Sequence, residues 1–206
     1  LETIADKAIR AFTEGRPGTR AMPEVDWVQL AGMMGLEDLL QHTDGMRSGC
    51  HNYFMHVDQA GRWSFMPWSV DLTLLAGYGS TGPLQSCSLF ARLCDADEVC
   101  VAWFERARDE AAQLVLRKDF RTRAVALAQR TQAVAWAGDE PWGGGDFWGS
   151  KDFDLVAQTN AAVDLMEARA RAIRCTTGAK RTDPPTPPED NPTCDGFLYP
   201  NPGGPK

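Results

Sequence analysis

The spacing of apolar residues predicts helices over most of the chain. Apolar side chains recur every three to four residues in several stretches. One stretch between them instead has strand composition: residues 51–57 and 62–66 are rich in aromatic residues and flank an Asp-Gln-Ala-Gly turn at 58–61. We therefore predict a mainly α fold with one β-hairpin, of the α+β class. The predicted helices cover approximately residues 1–14, 23–41, 88–93, 97–116, 119–137 and 153–174.

Polar residues lie at both ends of the predicted hairpin. Asp44 and Asn52 come before it, and Asp71 comes after it. Because a tight hairpin returns the chain to its starting point, we expect these three side chains to converge. Two carboxylates and an amide suit a hard divalent cation with phosphate, or general-base chemistry.

The same stretch resembles the core signature of the CotH kinase family, in which an Asp is followed by His-Asn-Tyr, a hairpin and Ile-Pro-Trp-Asp-x-Asp. The matching residues here are Asp44, His51-Asn52-Tyr53, Phe65-Met66-Pro67-Trp68 and Asp71. The resemblance implies the C-terminal lobe of a protein-kinase-like fold. It further implies that Asp44 is catalytic, that Asn52 and Asp71 bind metal, and that Mg²⁺ and ATP are the cofactors of an active form.

The chain departs from this family pattern in two ways. Ser69 follows Pro-Trp where the family has Asp, and no Gly-rich phosphate loop or strand lysine precedes Asp44. The Gly-rich run at 76–83 lacks the strand, lysine and helix order of a P-loop. The resemblance therefore implies an ancestral phosphotransferase whose nucleotide-binding lobe lies on another segment of the precursor or on a partner chain. The alternative is a non-catalytic structural or adhesive module of an extracellular assembly.

Charge and hydropathy restrict the partners of the chain. Its 206 residues carry a formal net charge of −7, which argues against nucleic acid or an anionic membrane as a partner. No stretch approaches 18 continuous apolar residues, so the sequence predicts no membrane span. Since the chain does not begin with Met and shows no signal peptide, we expect it to be a piece of a longer protein.

Six cysteines occur without CxxC spacing, which disfavours a zinc ribbon. An even number of cysteines without metal spacing predicts disulfides, an oxidising compartment, and a secreted or cell-surface protein. Six free thiols in a reducing cell are the alternative. Six cysteines allow 15 pairings. We favour Cys94 with Cys100, Cys50 with Cys87, and Cys175 with Cys194.

The last part of the chain changes character. Residues 177–206 include Pro-Pro-Thr-Pro-Pro at 184–188 and show no apolar periodicity. Such a segment is stiff and polyproline II-like, so we predict a domain over residues 1–176 and an extracellular Pro-rich tail after it. A Trp- and Gly-rich segment at 139–150 suits either a carbohydrate or protein contact, or aromatic rings folded back on the core. The expected partners are proteins of an extracellular assembly or the remainder of the precursor.

Overall fold

The computed structural model describes residues 2–68, 86–135 and 154–178, with the backbone alone at 133–135 and 176–178. Seven helices and one two-stranded antiparallel sheet occur in these ranges, which confirms the mainly helical α+β class. The elements are α1 (Ile4–Thr13), α2 (Gly18–Ala21), α3 (Trp27–Leu40), β1 (Tyr53–Val57), β2 (Trp63–Pro67), α4 (Leu89–Asp95), α5 (Glu98–Val115), α6 (Phe120–Ala135) and α7 (Leu155–Gly178).

Polar caps fix where several helices begin. Thr3 and Asp6 form a reciprocal capping box at the start of α1. Asp26, Ser88 and Asp97 each accept backbone hydrogen bonds in the first turns of α3, α4 and α5. The short helix α2 lies in a segment that the apolar spacing did not assign to any element. Local capping chemistry thus accounts for the starts of most of the predicted helices.

The hairpin forms as predicted, but β1 begins two residues later than the pattern indicated, and β2 covers 63–67 instead of 62–66. The strands pair in a continuous antiparallel register from Tyr53 opposite Pro67 to Val57 opposite Trp63. The predicted strand started at residue 51, but Asn52 has a φ of 57° and therefore lies in the left-handed region. This conformation cannot continue a strand, so the chain turns at Asn52 before β1 starts.

The main core lies between α3, α5 and the hairpin. Leu30 and Met34 of α3 are fully buried, and so is Phe65 of β2. The Phe65 ring packs edge-on against Phe90 of α4, with the ring centroids 5.0 Å apart. One face of the hairpin is therefore fixed to the helices by Phe65. A second, smaller cluster joins α3, α5 and α7 and consists of Leu39, Ala112, Val115, Ala170 and Ile173.

The outer edge of β2 is covered by the residues around the start of α3. The Trp63 N–H donates to the Glu24 carbonyl at 2.8 Å, and the Trp63 carbonyl accepts from the Asp26 N–H at 2.7 Å. The Gln29 side-chain amide bonds both backbone groups of Phe65, accepting from its N–H at 2.9 Å and donating to its carbonyl. The backbone groups on this side of the sheet are thus paired within the chain.

Two of the favoured disulfides are confirmed. Cys50 is bonded to Cys87 and Cys94 to Cys100, with Cα–Cα distances of 5.3 and 5.1 Å. Cys175 is also disulfide-bonded, while Cys194, its favoured partner, lies outside the described residues. These bonds are compatible with an oxidising, extracellular setting.

Several predicted features fall outside the described part of the chain. They are Ser69, Asp71, the Gly-rich run at 76–83, the Trp- and Gly-rich segment at 139–150, and the Pro-rich tail beyond residue 178. Among the helices that are described, none combines the length and the apolar character needed to cross a membrane.

Asp97 joins the start of α5 to a segment 78 residues earlier in the chain. Its Oδ2 accepts from the Thr19 N–H at 2.8 Å and from the Thr19 hydroxyl at 2.6 Å. Its Oδ1 accepts from the N–H groups of Val99 and Cys100. Burial raises the pKa of the Asp97 carboxyl, but these hydrogen bonds together hold the pKa below its ordinary value.

Asp97→Asn is expected to lower the free energy of unfolding by about 2 kcal/mol at pH 7, because both carboxylate oxygens accept hydrogen bonds and an amide keeps only one accepting oxygen. The folded-state pKa is depressed, so the carboxylate stabilises the fold above the unfolded-state pKa of about 3.9. This contribution is lost as the pH falls through the folded-state pKa. Urea denaturation of both proteins should therefore show a smaller difference at pH 3 than at pH 7. An equal difference at both pH values would contradict this account.

Candidate functional site

The loop at residues 42–52 connects α3 to β1 and carries Asp44. Its backbone closes on itself through hydrogen bonds from Gly45 N–H to the His42 carbonyl at 3.1 Å and from Gly49 N–H to the Gly45 carbonyl at 2.9 Å. A Cβ on Gly49 would lie 2.3 Å from Asp44 Cα, so only glycine allows this approach. The tight packing of Gly49 on the Asp44 backbone determines where the Asp44 carboxylate lies.

Asp44 and Asn52 are in direct contact. Asn52 Nδ2 donates to Asp44 Oδ2 at 2.6 Å. The Asn52 carbonyl accepts from the Trp68 N–H at 2.7 Å, which joins Asn52 to the end of β2. The hairpin therefore brings its two ends together next to Asp44. Asp71, the third residue expected here, lies outside the described residues, as does Ser69.

His42 and Glu37 lie behind Asp44, and neither residue belongs to the family motif. His42 is 1% exposed, with its Nε2 3.2 Å from Asp44 Oδ1 and its Nδ1 3.5 Å from Glu37 Oε1. The Glu37 carboxylate accepts from the N–H groups of Met46 and Arg47 at 3.2 and 3.1 Å. The available signal was a pair of adjacent carboxylates, Glu37 and Asp38, inside the otherwise apolar run at 33–40.

This arrangement holds the Asp44 carboxylate in one orientation. Asn52 approaches one of its oxygens and His42 the other, while the Asp44 side chain remains 20% exposed. A fixed carboxylate that solvent can reach is able to orient a hydroxyl group and accept its proton. The site thus places one partly exposed carboxylate between an amide and an imidazole, all three from one short loop.

The loop is also held by contacts with the segment at Cys87 and with helix α5. The Arg47 carbonyl accepts from the Cys87 N–H at 2.6 Å, and the disulfide from Cys50 to Cys87 joins the same two segments. The Arg47 guanidinium carbon lies 4.0 Å from the centroid of the Phe104 ring on α5. Covalent, hydrogen-bond and cation–π contacts together limit the movement of the loop that carries Asp44.

The site has partial capacity for a cation. Because Asn52 uses its side-chain NH₂ group on Asp44, its side-chain Oδ1 is left as an acceptor, and amide and carboxylate oxygens are the ligands that Mg²⁺ takes. Within residues 2–68, 86–135 and 154–178, no group of three or more His, Cys, Asp or Glu side chains is arranged to hold a metal ion. A complete site would therefore require a ligand from elsewhere, for which Asp71 is the predicted residue.

The hairpin presents apolar side chains beside this site. Phe54, Met66 and Trp68 are 51%, 47% and 58% exposed. The Phe54 and Trp68 rings contact each other, with centroids 5.2 Å apart. On the opposite face, burial raises the pKa of the Tyr53 phenol, which packs near Phe65. The face of the hairpin that carries Phe54 and Met66, together with Trp68, is therefore an apolar surface that begins next to Asn52.

No protein-family model matches this chain, and neither a curated protein nor a solved structure matches it significantly.

Proposed function

We propose that this chain is a CotH-like, kinase-related domain of a secreted or cell-surface protein, descended from an ATP- and Mg²⁺-dependent phosphotransferase. The observation that carries the proposal is the 2.6 Å contact between Asn52 Nδ2 and Asp44 Oδ2. Both residues belong to the family motif, and in this chain they are eight positions apart. Their contact is what a catalytic base and a neighbouring metal ligand require. The confirmed disulfides support the extracellular setting.

In this proposal Asp44 orients the acceptor hydroxyl and takes its proton. His42 and Asn52 hold the two carboxylate oxygens so that the base does not rotate away from the hydroxyl. The side-chain Oδ1 of Asn52 and Asp71 would hold Mg²⁺, which would neutralise charge on the ATP phosphates. Phosphoryl transfer depends mainly on positioning and charge, so these few groups account for the chemistry of the lobe.

The isolated chain is expected to bind Mg-ATP weakly or not at all. Kinase-like nucleotide binding uses a Gly-rich loop and a strand lysine, and neither motif precedes Asp44 in this sequence. Ser69 also replaces a carboxylate by a hydroxyl, which is a poorer Mg²⁺ ligand. Isothermal titration calorimetry with Mg-ATP should therefore give no saturable heat below about 1 mM, where binding is worth only ~4 kcal/mol. Micromolar affinity would show that the nucleotide site is complete in this chain.

Restoring the family residue provides a direct test of the proposal. Ser69→Asp should raise the affinity for Mn²⁺, a spectroscopic substitute for Mg²⁺, by about tenfold, because a second carboxylate joins Asn52 and Asp71. Electron paramagnetic resonance of free Mn²⁺ measures this affinity. Ser64→Asp adds the same charge on β2 and is the matched control. Equal affinities for the two variants would contradict the kinase-like assignment.

A non-catalytic structural or adhesive module is the second candidate function. The observation that favours it is the apolar surface of Phe54, Met66 and Trp68, which a binding module requires and a base does not. The Mn²⁺ titration separates the two candidates, because a purely structural module has no reason to respond to a carboxylate at residue 69. A response confined to Ser69→Asp would favour phosphotransferase ancestry.

A further inference from the structure

Within the residues that the structure describes, the outer edge of β1 is open. Trp68 N–H bonds the Asn52 carbonyl and Asp58 N–H bonds the Arg62 carbonyl, so the backbone groups of the even-numbered residues 52–58 face β2. In an antiparallel pair the alternate residues face away, and here these are Tyr53, Met55 and Val57. Across the part of the chain that the structure describes, their backbone N–H and C=O groups have no partner.

This edge lacks the features by which proteins normally block strand addition. The register of β1 with β2 is continuous, so no bulge twists the edge away. The strand Tyr-Phe-Met-His-Val contains no proline, lysine or carboxylate. Phe54, Met55 and Val57 are 51%, 44% and 46% exposed, which makes both faces of the edge apolar. The edge of β2 is instead covered by Gln29 and the segment before α3, so strand addition is possible on one side only.

We propose that β1 pairs antiparallel with β1 of a second copy of this chain, on a twofold axis that passes through Met55. The pairing places Met55 opposite its own equivalent, Tyr53 opposite Val57, and Phe54 opposite His56. In this register every outward N–H and C=O group of β1 gains a partner. A twofold axis through Phe54 would leave Val57 without a strand residue opposite it.

The chemistry of the strand selects a second copy as the partner. β1 carries no carboxylate, lysine or arginine, so the two strands meet without like charges directly opposite each other. The resulting cross-strand pairs are aromatic with β-branched and aromatic with imidazole, which are favourable combinations. A sheet of two strands also becomes one of four strands, which is the usual size of a stable sheet.

The dimer has a consequence for the arrangement of the sites. β1 begins directly after Asn52, which contacts Asp44. Because the paired strands run in opposite directions, the two Asp44 loops would lie at opposite ends of the joined sheet. The dimer does not depend on the chemistry proposed for Asp44, and its test is independent of nucleotide or metal binding.

Sedimentation velocity of the full chain at about 1 to 200 µM tests the proposal, because these concentrations cover the dissociation constants expected for a small interface. We expect a reversible monomer–dimer equilibrium. Met55→Lys should weaken dimerisation by about tenfold or more, because two ammonium groups would face each other across the axis. Met66→Lys places the same charge at a similarly exposed methionine, 47% against 44%, on the strand that is not at the open edge. This control should dimerise within about twofold of the unmodified chain.

Three results would overturn the proposal. The first is a monomer at every concentration, which would leave the edge to a segment of the same molecule or to a different protein. The second is an equal weakening of the dimer by Met55→Lys and Met66→Lys. The third is a dimer that neither variant weakens. Circular dichroism confirms that each variant is folded. If Met55→Lys does not fold, Val57→Lys takes its place, since Val57 lies opposite Tyr53 and is equally exposed on the same edge.

Discussion

Replacing Gly49 by alanine is expected to destabilise the protein by about 3 kcal/mol and to separate Asp44 from Asn52. The new Cβ would lie 2.3 Å from Asp44 Cα and 2.6 Å from its carbonyl carbon. Both are backbone atoms, so no side chain can rotate to relieve the overlap. The loop cannot easily shift either, because the adjacent Cys50 is bonded to Cys87. The backbone at Asp44 must therefore move, and its carboxylate moves with it.

Gly32→Ala is the matched control for this prediction. A Cβ on Gly32, within α3, would meet no atom within 4 Å. The same substitution there should stabilise the protein by about 0.5–1 kcal/mol, because alanine favours the helix. Urea denaturation gives both free energies, and the NMR resonance of the Asn52 side-chain amide reports its contact with Asp44. An unchanged amide resonance in folded Gly49→Ala would show that the overlap is relieved without moving Asp44.

The elements of this fold were predictable because their signals are local. Apolar spacing identified every helix longer than α2. The Asp-Gln-Ala-Gly turn between aromatic strands identified the hairpin. The short helix α2 has only four residues, too few for a periodic pattern to appear.

The site was predictable only in part. Asp44 and Asn52 were selected from a motif, and their contact follows from the turn at Asn52, whose φ of 57° directs its side chain towards Asp44. Glu37 lies in the predicted helix at 23–41 and was not selected as a site residue, because carboxylates on helices are usually exposed. Its burial depends on the N–H groups of Met46 and Arg47, which reach it only after the loop has folded.

Contacts between distant segments could not be read from local patterns. Thr19 and Asp97 are 78 residues apart, and Arg169 donates to the Asp38 carbonyl across 131 residues. Each partner alone resembles an ordinary polar surface residue in the sequence. Such pairs form only when helix packing brings them together. The open edge of β1 is likewise a property of the assembled sheet, because composition does not reveal which of two strands is covered.

The largest of these tertiary contacts is centred on Asp38, in the last turn of α3. Asp38 is 1% exposed. Its Oδ2 lies 3.5 Å from Arg108 Nη1 on α5, and its Oδ1 lies 3.4 Å from Arg169 Nη2 on α7. The two arginine side chains are 12% and 11% exposed. One carboxylate therefore joins three helices at the boundary of the second core cluster.

Asp38→Ala is expected to lower the free energy of unfolding by about 3–5 kcal/mol. The substitution removes the carboxylate that two largely buried guanidinium groups share, and removing one partner from such an ion-pair network is far more costly than losing a surface contact. Arg108 retains Glu105 at 2.6 Å, and Arg169 retains the Asp38 backbone carbonyl. These remaining contacts keep the expected loss within that range. Urea denaturation at pH 7 measures the loss as a lower midpoint with an unchanged slope.

Arg106→Ala provides the comparison with an exposed ion pair. Arg106 and Glu110 are 78% and 61% exposed, so breaking their 2.8 Å contact should leave the free energy of unfolding almost unchanged. Replacing Asp38, Arg108 and Arg169 together by leucine or methionine should recover much of the stability lost in Asp38→Ala, because it removes the buried charges along with their partner. If the loss in Asp38→Ala comes from removing the carboxylate that the two arginines share, the triple variant should be more stable than the single one. A triple variant less stable than Asp38→Ala would show instead that the network itself stabilises the junction of α3, α5 and α7.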